Sequence, residues 1–127
     1  MKLLLDTHTF LWFINDNPKL SETGLALLES NHDVLLSTAS LWEIAIKYSL
    51  GKLDLPSPYE DFITQEILRN DVDVLSIQIP HLTVVSRLPF HHRDPFDRML
   101  IAQSIVEDVP LLSADSIFDA YPIKRLW

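Results

Sequence analysis

The chain contains no cysteine, which excludes disulfides, thiolate metal ligands and a cysteine nucleophile. Any metal must therefore bind oxygen or imidazole. No apolar stretch approaches the length of a membrane span, and the three leucines after Lys2 meet Asp6 too early for a secretory signal. The expected setting is a reducing cytoplasm, away from the membrane. Bases are scarce too: 10 Lys and Arg stand against 18 Asp and Glu, a net charge of −8. That balance argues against gripping nucleic acid by general electrostatic attraction, so a phosphate ligand needs local help from a cation or from nearby bases. Repeats, low-complexity tracts and dividing linkers are also missing. At 127 residues one domain, 1–127, is expected, able to bury roughly two thirds of its unfolded surface.

What is present reads as strands alternating with helices. Lys2 to Leu5 is an apolar run without alternation, the pattern of a strand buried on both faces, and Asp6 stands at its C-terminal end. A short helix is expected from Thr9, carrying Phe10, Trp12 and Phe13 as core or as a dimer surface, and a second from Ser21 to about Ser30. Asn31, His32 and Asp33 form a turn before a second strand, Val34 to Ser37. Ser40-Leu41-Trp42-Glu43 has the capping-box pattern for a helix ending near Gly51, with Glu43 placed to pair with Lys47. Tyr59, Phe62, Ile63, Ile67 and Leu68 have helical spacing. A third strand over Val72 to Ile79, closed by Pro80, and a helix from His81 to Leu88 follow. Val109 to Leu112 is a fourth strand, Asp115 caps a short helix through Tyr121, and Ile123 to Trp127 adds an edge strand.

The stretch from His91 to Ser104 joins a charged loop to an apolar helix. Pro95 suits the first helical position, which puts Asp94 at the N-cap and Asp97 at the third helical position. Asp94 has an ordinary capping role available. Asp97 heads a helix flanked by apolar residues, and its carboxylate needs a partner such as a cation to offset desolvation. His91 and His92, being adjacent, are poorly placed to share one metal; they read as solvated loop residues or as a substrate-facing pair.

Strands separated by helices imply parallel pairing, right-handed crossovers and a three-layer α/β sheet with every strand's C-terminal end on one edge. Ligands bind beyond that edge. Asp6, Glu43 and Asp115 each follow a strand closely, and Asp97 heads the helix leading into the fourth. Four carboxylates so gathered raise one another's pKa, and a divalent ion is the simplest remedy. Oxygen ligands select magnesium or manganese, and the chemistry such an ion supports is phosphodiester hydrolysis. Thr7 and Ser113 could hydrogen-bond a carboxylate or the attacking water, and Arg93, Arg98, Lys47 and His92 are the candidate substrate contacts. A phosphoacceptor signalling domain and a dehalogenase-like phosphatase are disfavoured, because Thr7 and His8, not a second acid, follow Asp6.

Leu5-Asp6-Thr7-His8, Ser40-Leu41-Trp42-Glu43-Ile44, His92-Arg93-Asp94-Pro95-Phe96-Asp97-Arg98 to Ala102, and Leu112-Ser113-Ala114-Asp115, in that order and spacing, resemble PIN-domain ribonucleases, specifically VapC-like toxins of toxin-antitoxin pairs. The resemblance implies an α/β/α fold with a short parallel sheet of about four or five strands. It makes Asp6, Glu43 and Asp97 the principal metal-binding acids, completed by Asp115, with Asp94 as a subgroup's helix cap. Ser113 stands where the family often has threonine, and keeps the hydroxyl. The resemblance further implies magnesium- or manganese-dependent RNA cleavage, homodimers and a small antitoxin partner; the competing expectation is a degenerate PIN-like scaffold that binds RNA or protein without cutting. The charge balance predicts that labelled RNA, titrated in chelator, binds weakly; tight metal-free binding would contradict the need for a bridging cation.

Overall fold

Leu3, Leu4 and Leu5 are completely buried, as a strand must be when helices cover both of its faces. The computed structural model describes residues 1–30 and 32–127. Five strands, β1 (Lys2–Leu5), β2 (Asp33–Ser37), β3 (Val72–Leu75), β4 (Leu111–Leu112) and β5 (Arg125–Leu126), pair in the order β3-β2-β1-β4-β5. All four pairings are parallel. The helices are α1 (Thr7–Ile14), α2 (Glu22–Glu29), α3 (Thr38–Ser49), α4 (Tyr59–Arg69), α5 (Ile79–Val85) and α6 (Pro95–Glu107), with a 3₁₀ turn over Ser116–Ala120.

Successive side chains of a strand face opposite ways, and this splits the core in two. Leu5 and Leu112 pack with Phe10 of α1, Ile44 of α3 and Phe62 of α4. Leu4 and Leu111 pack on the other side with Leu100 and Ile101 of α6 and Phe118 of the 3₁₀ turn. The outcome is the expected three-layer α/β/α arrangement around a parallel sheet. Register then places the site: Leu5 aligns with both Leu36 and Leu112. The residues that follow, Asp6, Ser37 and Ser113, leave the sheet at one edge.

Each of these strand ends passes into a helix or turn through a polar cap. Asp6 accepts the Thr9 N–H and Ser37 the Ala39 N–H. Asp115, two residues beyond Ser113, accepts the Ile117 N–H. At the far ends, α1, α3, α4 and α6 are each followed or closed by a left-handed residue: Asp16 (φ 50°), Gly51 (φ 71°), Asp71 (φ 52°) and Asp108 (φ 53°). Aspartate tolerates that region better than most side chains.

Several expected bounds need correction, among them the helix expected over His81 to Leu88, which runs from Ile79 to Val85. Helix α1 begins at Thr7 and not Thr9, because Asp6 is its N-cap. Helix α3 begins at Thr38, so Ser40 to Glu43 lie inside it and form no capping box. Strand β3 ends at Leu75, and Pro80 sits in the first turn of α5, where a missing N–H is harmless. Strand β4 has only two residues. The expected turn at 31–33 begins on Asn31, which lies outside the described residues, while Asp33 already belongs to β2.

Leu36 is fully buried between β1 and β3, whereas Leu68 is 76% exposed on α4. Leu36→Ala should therefore lower unfolding free energy in a urea titration by about 2–5 kcal/mol, and Leu68→Ala by no more than about 0.5 kcal/mol. Equal effects would mean that the sheet core is wrongly placed.

Candidate metal centre

Asp6 is almost completely buried at the end of β1. Its two oxygens are both engaged: Oδ1 by the Thr9 N–H at 2.8 Å and Oδ2 by the Ser113 hydroxyl at 2.5 Å. Ser113 Oγ in turn accepts the Asp115 N–H at 3.0 Å. One serine thus connects the first and last acids across β1 and β4. On the other side of Asp6, the Thr7 hydroxyl donates to Glu43 Oε1 at 2.6 Å and lies 3.0 Å from Ser40 Oγ. Glu43 Oε2 meets Lys47 Nζ at 3.0 Å, the expected helical ion pair, so this lysine neutralises an acid at the edge.

Asp97 stands where the cap pattern puts it, and Asp94 Oδ1 accepts its N–H at 2.9 Å. Its partner is His92, whose Nε2 lies 2.7 Å from Asp97 Oδ2. Ligand atoms of His92, Asp97 and Asp115 all lie within 4.8 Å of one another, the candidate metal-holding group among the described residues. Asp6 joins that group through Ser113. Glu43 joins it electrostatically, as a charge felt by Asp97.

The loop that delivers His92 is held from inside. Arg98, expected to face substrate, is buried, and its guanidinium donates to the carbonyls of Val85, Leu88, Pro89 and His92 at 3.0–3.2 Å. The Phe90 ring lies 4.2 Å from the guanidinium carbon. A buried guanidinium requires such saturation, and a group so committed is a loop anchor, not a substrate contact. The Tyr121 hydroxyl adds a second tie, donating to Pro89 O at 2.8 Å and accepting the His92 N–H at 2.9 Å. Arg93 is exposed on the same loop.

Sequence reasoning missed the partnership of His92 with Asp97 and the anchoring roles of Arg98 and Tyr121. The first had a signal: a residue two positions before an Asp-Pro cap can fold back toward the third helical position. Arg98 also had one, a charge set directly before the buried run Met99 to Ala102.

Burial pushes the Asp97 carboxyl up to about 6 from 3.8; the His92 hydrogen bond opposes this, while the charges of Asp94 and Glu43 add to it. A carboxylate in that condition is one whose ionised form a nearby cation would stabilise. Two carboxylates and an imidazole, with two further acids beside them, fit a divalent ion that accepts oxygen and nitrogen ligands.

A family model described as PIN domain matches residues 3–124. The chain belongs to the PIN domain family. This PIN domain is 37% identical over 62 residues to Ribonuclease VapC16 of Mycobacterium tuberculosis (strain ATCC 25618 / H37Rv), a match spanning 49% of the chain and 44% of that relative. The chain thus matches less than half the length of this relative. Among solved structures, VapBC2 from Rickettsia felis, bound to a DNA fragment from their promoter, superposes with a TM-score of 0.75 at 17% identity, covering 99% of this chain and 98% of that one. DNA-bound VapBC from Salmonella typhimurium gives 0.73 at 19% identity, covering 99% and 97%. At such identities the superpositions bear on the fold of this PIN domain.

The raised carboxyl makes a pH-dependent prediction for metal-free protein. Asp97 holds its proton more tightly folded than unfolded, so its contribution to stability falls as pH rises from about 4 through 6 and is level above. A shift of about two units corresponds to roughly 3 kcal/mol, reduced because a quarter of the side chain is exposed. In chelator, Asp97→Asn should be more stable than wild type by about 1–2 kcal/mol at pH 7 and indistinguishable near pH 4 in urea titrations. A difference between Asp97→Asn and wild type that stays the same from pH 4 to pH 7 would show an ordinary carboxyl.

Proposed function

We propose that this PIN domain is a metal-dependent endoribonuclease, the toxin component of a toxin-antitoxin pair. The observation that carries the reading is the convergence of His92, Asp97 and Asp115 within 4.8 Å at the sheet edge, beside Asp6 and Glu43. The name of the relative, Ribonuclease VapC16, and its 37% identity over 62 residues support RNA as the substrate class. The VapBC structures support a small cognate antitoxin as partner; a second copy of the chain as dimer mate and a cytoplasmic setting belong to the same proposal. Among the described residues, no helix is long and apolar enough to cross a membrane.

Asp97, Asp115 and His92 would hold the ion directly, with Asp6 and Glu43 completing the acidic shell. Magnesium or manganese suits a set dominated by carboxylates. When bound, such an ion supplies positive charge to a phosphoryl oxygen and favours ionisation of an attacking water near neutral pH. The chain's own residues set the geometry. Ser113 fixes Asp6 through Oδ2, and Thr7 fixes Glu43 through Oε1, so neither carboxylate has to reorganise when substrate enters. Lys47 limits the repulsion that Glu43 would exert on an incoming phosphate. Arg98 and Tyr121 hold the loop so that His92 stays against Asp97.

The test is cleavage of a mixed single-stranded RNA pool by purified protein with magnesium or manganese. Asp6→Asn keeps a capping side chain, and Asp115→Asn removes a carboxylate from the triad. Each should lower the cleavage rate by about 100-fold or more while circular dichroism stays that of wild type, and chelator should abolish cutting. Undiminished cleavage in both variants would sink the assignment; a folded wild type inert with every metal would favour the non-cutting scaffold.

A further inference from the structure

The two helices that supply Glu43 and Asp97 each carry an aromatic residue directly before the acid. Trp42 precedes Glu43 on α3, and Phe96 precedes Asp97 on α6. The rings meet edge to face, with centroids 5.2 Å apart and planes at 81°. Trp42 is nevertheless 61% exposed. A residue of that size in a core helix is ordinarily covered, and here the T-shaped contact braces the indole while leaving ring surface open to solvent.

Resting on the nuclease reading above, we propose that the Trp42–Phe96 pair is a stacking platform for one unpaired nucleobase of the RNA, next to the phosphate held at the acids. Charge selects this occupant. A chain of net charge −8 gains little from phosphate attraction. Of the bases near the site, Lys47 is paired with Glu43 and Arg98 is buried on backbone carbonyls, which leaves Arg93 as the exposed arginine of the His92 loop. One arginine and a single bound cation offset little of that charge, so a source of affinity indifferent to charge is needed beside them, and an aromatic face offers it, since every base has a π surface. Position agrees: the two rings touch each other, and each is the chain neighbour of one of the two acids, so the ring pair spans the α3–α6 contact from which Glu43 and Asp97 are supplied. The platform positions the strand; the acids act on it.

The expected signature is a loss of binding without a loss of chemistry. Trp42→Ala should raise KM for short mixed-sequence RNA about 5- to 150-fold, the range of a single base–aromatic stack, with kcat unchanged and Trp42→Phe recovering most of the loss. RNA carrying an abasic site at each position in turn should lose the same factor at one position in wild type and nothing there in Trp42→Ala. The lost factor should be the same at 50 and 200 mM salt. Direct binding of fluorescein-labelled RNA in magnesium separates the two readings: if nothing is cut but Trp42→Ala still weakens binding by that factor, the platform stands and the nuclease reading falls. If wild type cuts and Trp42→Ala leaves KM and Kd unchanged, the platform is overturned and the rings belong to a protein contact.

Discussion

The hydrogen bond from Ser113 to Asp6 ties the ends of two neighbouring strands together at the point where both leave the sheet. Without it, Asp6 would keep one oxygen on the Thr9 N–H and leave the other unpaired in a nearly closed site, a condition that costs several kcal/mol for a charged group. With it, the carboxylate is oriented, the turn after β4 is fixed through the Asp115 N–H, and the first and last acids belong to one hydrogen-bonded unit. The two-residue β4 supplies few ladder bonds of its own, so this polar closure does for the end of the strand what length does elsewhere.

The fold was largely legible because its signals are local. Lys2 to Leu5 and Val34 to Ser37 are short apolar runs that stop at polar residues, and their burial in a parallel sheet follows from composition alone. The Asp94-Pro95 start of α6 was equally plain, since a capping side chain and a fixed φ act within one turn. Where two local signals competed, the wrong one could be favoured. Ser40 and Glu43 have capping-box spacing, but Ser37 caps three residues earlier, and burial of Ser40 inside α3 turns its hydroxyl toward Thr7. Pro80 reads as a strand terminator and also as a first-turn residue; α5 uses the second property.

The site was legible in its acids and illegible in what holds them. Asp6 and Asp115 announce themselves by following strands and Asp97 by heading a helix, while Glu43 lies inside α3 and shows itself only by its spacing from Lys47. His92 and Arg98 do not, because their roles depend on a loop folding back over α6, and neither periodicity nor spacing encodes a loop's path. Charge at Arg98 suggested a solvent-facing ligand contact, yet four carbonyls converging from Val85 to His92 made the interior the better place for it. Tyr121 is farther still in sequence, and its hydroxyl reaches the same loop only once the 3₁₀ turn has folded.

The aspartates at positions 16, 71 and 108 do a different kind of work from those at the sheet edge. Each takes the left-handed backbone that follows a helix, a post that glycine fills in most proteins; this chain has two glycines and 18 acids. The exchange places a negative side chain against the negative end of a helix dipole, an unfavourable contact. Part of the molecule's acidity is therefore architectural. Net charge overstates how much of the anionic character is arranged around the candidate metal centre, and lowering it at these three turns would alter the protein's long-range repulsion of other anions without touching any of the acids gathered there.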